Sequence, residues 1–225
     1  MRKLILLTVV LMAGSNAMAQ QDEIKKIFQD TYERALQYND RFEAKNALYR
    51  LVVMDPQNDS LLTTLAFLYA DARQYASSLL VSMDAVALNP RNTEALEINA
   101  FSYENLGLKD KSLISYEKLF LITNDFQVLY KMAFLQFELE KYHQALTNSD
   151  ILLEAPEATE STIFFKEGED QEDKEYPISV AIWNLKGIVN KELGNKEEAR
   201  KCFDEALQIS PDFLLAKENI ASLDE

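Results

Sequence analysis

The 225-residue chain has one cysteine, Cys202, and one histidine, His143. A lone cysteine rules out an intramolecular disulfide, even in an oxidising compartment that would permit one. Cys202 lies in a strong helical pattern and reads as a quiet, partly buried thiol. His143 stands between Tyr142 and Gln144 at the start of a helical stretch, with no adjacent Asp or Ser. It reads as a surface residue. The sequence contains no GxSxG, no HExxH, no CxxC, no phosphate-cradling loop and no dinucleotide fingerprint. These absences argue against an enzyme and against a bound cofactor or metal. Basic residues are also scarce: 23 Lys and Arg stand against 37 Asp and Glu, a net charge of −14. Nucleic acids and anionic membranes select basic surfaces, so neither is an expected partner. The apolar run Leu4–Ala13 is ten residues long, where a bilayer span needs about 20.

That run has another use. Met1-Arg2-Lys3 is a basic leader, and Ala17-Met18-Ala19 places small residues two apart behind the run. Together they read as a secretory signal, residues 1–19, cleaved after Ala19. No cysteine follows the run, so lipoprotein processing is not expected. Cleavage removes Arg2 and Lys3, leaving 206 residues at −16. The mature protein is expected in the periplasm or outside the cell, without stable membrane insertion. Its length suits one or two ordinary domains, or one elongated array.

Pro56 and Pro90 lie 34 residues apart, and the residues between them repeat in register. In the clearest copy, Trp183, Gly187, Gly194, Ala199, Phe203, Ala206 and Pro211 stand at offsets 0, 4, 11, 16, 20, 23 and 28. Small residues at Gly187 and Ala199 suit two helices that cross closely. Gly194 suits a left-handed helix end, and Pro211 stops the second helix. This pattern resembles the tetratricopeptide repeat, a 34-residue pair of helices. Copies begin at Lys25, Asp59, Thr93, Phe126 and Val180, and repeat positions are counted from these residues. The second copy carries Leu62, Leu65, Ala66, Tyr69, Ser78, Ala85 and Pro90 in register. The third carries Ala100, Tyr103, Gly107, Ser112 and Tyr116. The first has Tyr32 in place of a small residue but keeps Asn39 at the turn, Ala44 and Pro56. The fourth follows a linker one residue shorter; it has Ala133 and Ala145, with Glu140 at the turn.

The resemblance implies an all-α fold: a right-handed superhelical solenoid of about five helix-turn-helix repeats. Repeats 1–4 fill residues 20–159 and repeat 5 fills 180–213. Residues 214–225 read as a capping helix whose Leu215, Ile220 and Leu223 close the stack. Residues 160–179 fall outside the period. Ser161-Thr162-Ile163-Phe164-Phe165 and Tyr176-Pro177-Ile178-Ser179 flank an acidic centre, and they read as a β-hairpin or ordered loop. The acidic centre, Glu167–Asp173, lacks the EF-hand pattern and reads as a solvated tip.

In such arrays the first helix of each repeat lines the concave face, mainly through positions 2, 5, 9, 12 and 13. Position 9 is Glu33, Phe67, Phe101, Phe134 and Ile188. Tyr130 and Phe137 fall beside Phe134, and polar neighbours include Thr63, Asp71, Glu97, Glu104, Asn105 and Glu138. An aromatic stripe rimmed by acids suits an apolar peptide or helix with basic flanks. The same stripe could instead be packed against neighbouring repeats or covered by the insert. Chaperone-binding relatives hold a terminal carboxylate with Lys and Asn, but the matching places here carry Gln29, Glu33, Phe67 and Glu94. That activity is not implied. The expected function is a non-catalytic scaffold or adaptor of the cell envelope, holding a peptide or helix of a protein partner. The layout resembles exported tetratricopeptide proteins of Gram-negative bacteria. A self-associating structural protein is the alternative, and a small-ligand binder or enzyme a more distant one. The partner's identity and the oligomeric state are not encoded in any motif.

Overall fold

A computed structural model of the chain describes residues 2–167 and 172–224, with side chains for 19–166 and 173–224. In chain order it shows α1 (Arg2–Gln37), α2 (Arg41–Met54), α3 (Asp59–Asp71), α4 (Tyr75–Leu88), α5 (Thr93–Asn105), α6 (Lys109–Thr123), α7 (Phe126–Glu138), α8 (Tyr142–Glu154) and α9 (Glu157–Glu160). There follow strands β1 (Thr162–Glu167) and β2 (Glu172–Pro177), then α10 (Ile178–Glu192), α11 (Lys196–Ile209) and α12 (Leu214–Ala221). The fold is the all-α repeat array the sequence leads one to expect. It forms two compact units, Met1–Leu106 and Gly107–Glu225. Helix α1 runs through Ala19 without a break. Residues 168–171, the centre of the acidic tip, lie outside the described residues.

The repeat is written into the backbone at position 15. Asn39, Arg73, Gly107, Glu140 and Gly194 all have positive φ, between 55° and 78°. They are spaced 34, 34, 33 and 54 residues apart, the last interval being one period plus the 20-residue insert. At four of these sites two hydrogen bonds close the preceding helix. In the second repeat the Arg73 N–H donates to the Ala70 carbonyl and the Gln74 N–H to the Tyr69 carbonyl, each at 2.8 Å. The same pair recurs after Asn39, Glu140 and Gly194. This is the Schellman closure, which needs one left-handed residue. A side chain in that conformation costs about 1–2 kcal/mol unless it is Gly, or to a lesser degree Asn. Arg73 and Glu140 are therefore strained. Both are exposed, so Arg73→Gly and Glu140→Gly are each expected to stabilise the chain by about 1 kcal/mol. Urea unfolding checks this: both midpoints rise, and that of Gly194→Ala falls.

Asn124 is also left-handed, with φ 50°. It stands where repeats 1, 2 and 5 have Pro56, Pro90 and Pro211. The tight turn there accommodates the one-residue shortening before α7. Side-chain caps start several first helices: Asn58 accepts from the Leu61 N–H, Asn92 from the Ala95 N–H, and Asp125 from the Gln127 and Val128 N–H groups. Each such cap contributes about 1 kcal/mol.

In unit 1, α1 packs on α2, α3 on α4, and α5 on both α3 and α4. Ala44, Ala66 and Ser78 are fully buried at the crossing positions. Ser78 is a polar residue where alanine would fit, and its hydroxyl donates to the Ala66 carbonyl at 2.8 Å. The Ser102 hydroxyl in turn donates to Ser78 Oγ at 2.9 Å. Tyr32 reaches the cluster of Ala35, Ala44, Leu48 and Leu65 from its edge, and burial raises its phenol pKa.

Unit 2 holds α6–α12 and the hairpin. α7 packs on α8, and α10 on α8 and α11. The hairpin is antiparallel, with Ile163 opposite Tyr176 and Phe165 opposite Lys174. Its base is closed by the Ile178 N–H donating to the Ser161 carbonyl at 2.9 Å. Phe165 and Tyr176 meet Phe213 edge-on at 5.3 and 5.0 Å. The insert thus adds aromatic rings to the core of the last repeat, which is built on Val180, Ala199, Phe203 and Ala206 and covered by Ala216 and Leu223 of the terminal segment. Ile178 and Ser179 belong to α10.

Candidate functional site

Unit 1 brings Phe67 of α3 and Phe101 of α5 onto adjoining helices. Phe67 is 54% exposed and Phe101 41% exposed. Rings so placed contribute apolar area to the surface without filling the core. Phe101 is oriented from behind: Tyr75, at the start of α4, meets it edge-on at 5.8 Å. The Asn105 side-chain amide donates to the Phe101 carbonyl at 2.8 Å. Asn105 therefore braces the helix end rather than reaching outward. Along the same helix, Glu94 and Glu97 are exposed and Glu104 is half-buried. Among the described residues, none of these three forms an ion pair with a Lys or Arg.

Two other expected acids are engaged. Asp71 pairs with Arg41 at 2.7 Å, and in unit 2 Glu138 pairs with Lys109 at 3.1 Å. Both pairs join position 13 of one repeat to position 17 of the repeat before it. These carboxylates tie repeats together. Thr63 is buried; its hydroxyl donates to the Asp59 carbonyl at 2.8 Å and accepts from the Asn92 amide at 3.0 Å.

Unit 2 carries the other three candidate aromatics on α7. Tyr130 and Phe134 lie 4.9 Å apart, while Phe137 leans on Tyr142 at 6.3 Å. All three are half-buried. Burial pushes the Tyr130 phenol far above its usual pKa, so it stays neutral at any physiological pH. Of the hairpin rings, Phe165 and Tyr176 are packed on Phe213, while Phe164 is exposed.

Chemistry is sparse elsewhere. His143 is exposed on α8. Cys202 is buried, and desolvation raises its thiol to about 11, so little thiolate exists at neutral pH. An open depression of about 440 Å³ lies between the end of α1 and the start of α2. Of its acids, Asp40 caps α2 through the Glu43 N–H, and Glu43 accepts from the Asn46 amide.

Helix pairs at a 34-residue period, each turned by a left-handed residue and crossed on small side chains, define a helical-repeat protein. Residues 180–213 match the tetratricopeptide repeat family, and the chain as a whole has the fold of a tetratricopeptide array. Solved structures of the same fold include MamA, 16% identical with a TM-score of 0.65 over 89% of this chain and 95% of that one. A tetratricopeptide repeat protein from Parabacteroides merdae is 20% identical with a TM-score of 0.66, covering 89% of this chain and 72% of that one. YrrB, described as a TPR protein with an unusual peptide-binding site, is 13% identical with a TM-score of 0.70, covering 91% and 95%. Among curated protein sequences, none matches the chain.

Proposed function

We propose that the chain is a non-catalytic scaffold that holds a segment of a protein partner on the first-helix face of its repeats. The observation that carries this reading is the exposure of Phe67 and Phe101 beside Glu94, Glu97 and Glu104, carboxylates that form no ion pair among the described residues. Aromatic side chains provide large contact area at small entropic cost, and free carboxylates favour a segment with Lys or Arg flanking its apolar residues. Phe134 occupies the same repeat position in unit 2, where Tyr130 and Phe137 adjoin it. YrrB, a protein of the same fold, is a peptide binder by its description, and that use fits here.

The test is capture from cell-envelope extract by the purified chain, against a variant with Phe67, Phe101 and Phe134 changed to Ala. The reading expects a partner that the wild type retains and the variant loses, with helical content unchanged. Equal capture by both would remove the aromatic face from the account.

The envelope setting rests on the basic leader, the apolar run and the small residues before Ala19. Export is expected to yield a mature chain that begins at Gln20. Intact-mass measurement of protein recovered from the envelope fraction checks this directly. A chain that keeps residues 1–19 would argue against cleavage.

A further inference from the structure

Positions 3, 7 and 10 of a first helix form the joint to the repeat before it. Leu61, Leu65 and Leu68 of α3 share one cluster with Leu48 and Leu51 of α2. Ala95, at position 3 of α5, packs with Ala85 of α4. Position 10 is buried in all four later repeats, as Leu68, Ser102, Leu135 and Val189. In the first repeat the same three positions are Ile27, Thr31 and Arg34. Ile27 is 54% exposed, Arg34 is exposed and Thr31 is half-buried. Together with Asp30 and the exposed Tyr38 they line the open depression beside the start of α2. Helix α1 runs unbroken from Arg2 to Gln37 and does not fold back over them. In unit 2, by contrast, Ala216 and Leu223 of the terminal segment cover the core of the last repeat. The joint that links successive repeats is therefore continued on α1 and left open there.

The charges on this face name what closes it. Ile27, Thr31, Arg34 and Tyr38 recur at helical spacing and share one side of α1, with Asp30 one turn before Arg34. Among the described residues neither Asp30 nor Arg34 forms an ion pair. The face thus presents a free acid and a free base between two exposed apolar side chains. Two α1 helices set antiparallel, centred between Thr31 and Arg34, bring Asp30 of each copy opposite Arg34 of the other. The same arrangement brings Ile27 opposite Tyr38, and the two pairings agree in register to within one residue. A two-fold axis makes each pairing twice and closes the contact at two copies. Two chains of net charge −14 repel each other in general; this face offsets that with matched opposite charges.

We propose that the open joint on α1 is closed by a second copy of this chain, α1 against α1, through reciprocal Asp30–Arg34 and Ile27–Tyr38 contacts. The face is separate from Phe67 and Phe101, so partner capture and this association are tested independently. Sedimentation velocity of the purified chain, over about 1–100 µM, reads the assembly. The wild type is expected at the mass of two chains. Asp30→Arg leaves the face with bases only and Arg34→Glu leaves it with acids only. Like charges set opposite each other suppress association, so each variant alone is expected at the mass of one chain, with an unchanged helical spectrum. Mixed in equal amounts, the two variants present opposite charges to each other and are expected to sediment together as two chains. A wild-type monomer throughout the range overturns the proposal. So does a dimer that survives either single substitution, or an equimolar mixture that stays monomeric.

Discussion

Replacing Gly187 with alanine is expected to destabilise the last repeat, although alanine is the better helix former. A Cβ built on Gly187 lands on the ring of Phe203, among its Cε1, Cδ1 and Cζ atoms. Phe203 is fully buried within the cluster that includes Val180, Ala199, Ala206 and Phe213. The ring is held by that packing and cannot swing into solvent. Removing glycine from a helix interior contributes about 1 kcal/mol in favour of the variant. Overpacking a closed core costs about 1–3 kcal/mol, and more where the clash falls on a rigid ring. The second effect is larger, so a net loss of about 2 kcal/mol and a melting temperature lower by about 4–8 °C are expected. Shortening the partner with Phe203→Leu should restore part of the loss. If Gly187→Ala alone left the melting temperature unchanged or raised it, the close approach of α10 and α11 would not be what fixes glycine here.

The second large effect concerns binding. Phe67→Ala with Phe101→Ala removes two exposed rings. Because neither ring fills the core, stability should change by less than about 1 kcal/mol. An aromatic residue at the centre of an interface commonly accounts for 2 kcal/mol or more, so the pair is expected to weaken partner binding about 100-fold or beyond. Changing Glu94, Glu97 and Glu104 to Gln should act differently. Free carboxylates at a rim mainly speed encounter and set salt dependence, so this variant should flatten the salt dependence of association. Asp71→Ala and Glu138→Ala are not equivalent probes, because each breaks a pair between successive repeats, with Arg41 and Lys109 respectively.

The repeat was legible in the sequence because its demands fall on residue type. Only small residues fit where helices cross, and Ala44, Ala66, Ala133, Ala145, Gly187 and Ala199 announce those places. Asn39, Gly107 and Gly194 likewise announce the left-handed turns. Arg73 does not, since its side chain gives no sign of a positive φ; only its distance of 34 residues from Asn39 and from Gly107 could have revealed it. Glu140 stood at the expected turn, and the backbone adopts the unfavourable conformation there because the helix closure requires it. The hairpin was visible in the β-branched and aromatic run from Thr162 to Phe165. Its destination on Phe213 was not, because that contact joins residues far apart in sequence.

The candidate face was only partly legible. The period assigned Phe67, Phe101 and Phe134 to one repeat position, but exposure depends on neighbours. Tyr75, which supports Phe101 in space, precedes it by 26 residues. The engagement of Asp71 and Glu138 likewise depends on basic residues at position 17 of the preceding repeat.

The most direct test is to titrate the captured partner segment, as a synthetic peptide, into the wild-type chain and into the Phe67→Ala, Phe101→Ala variant while following heat of binding. The account predicts saturable binding to the wild type and about 100-fold weaker binding to the variant at equal helical content. Equal affinity for the two proteins would contradict it and move the binding surface away from the first helices of the repeats.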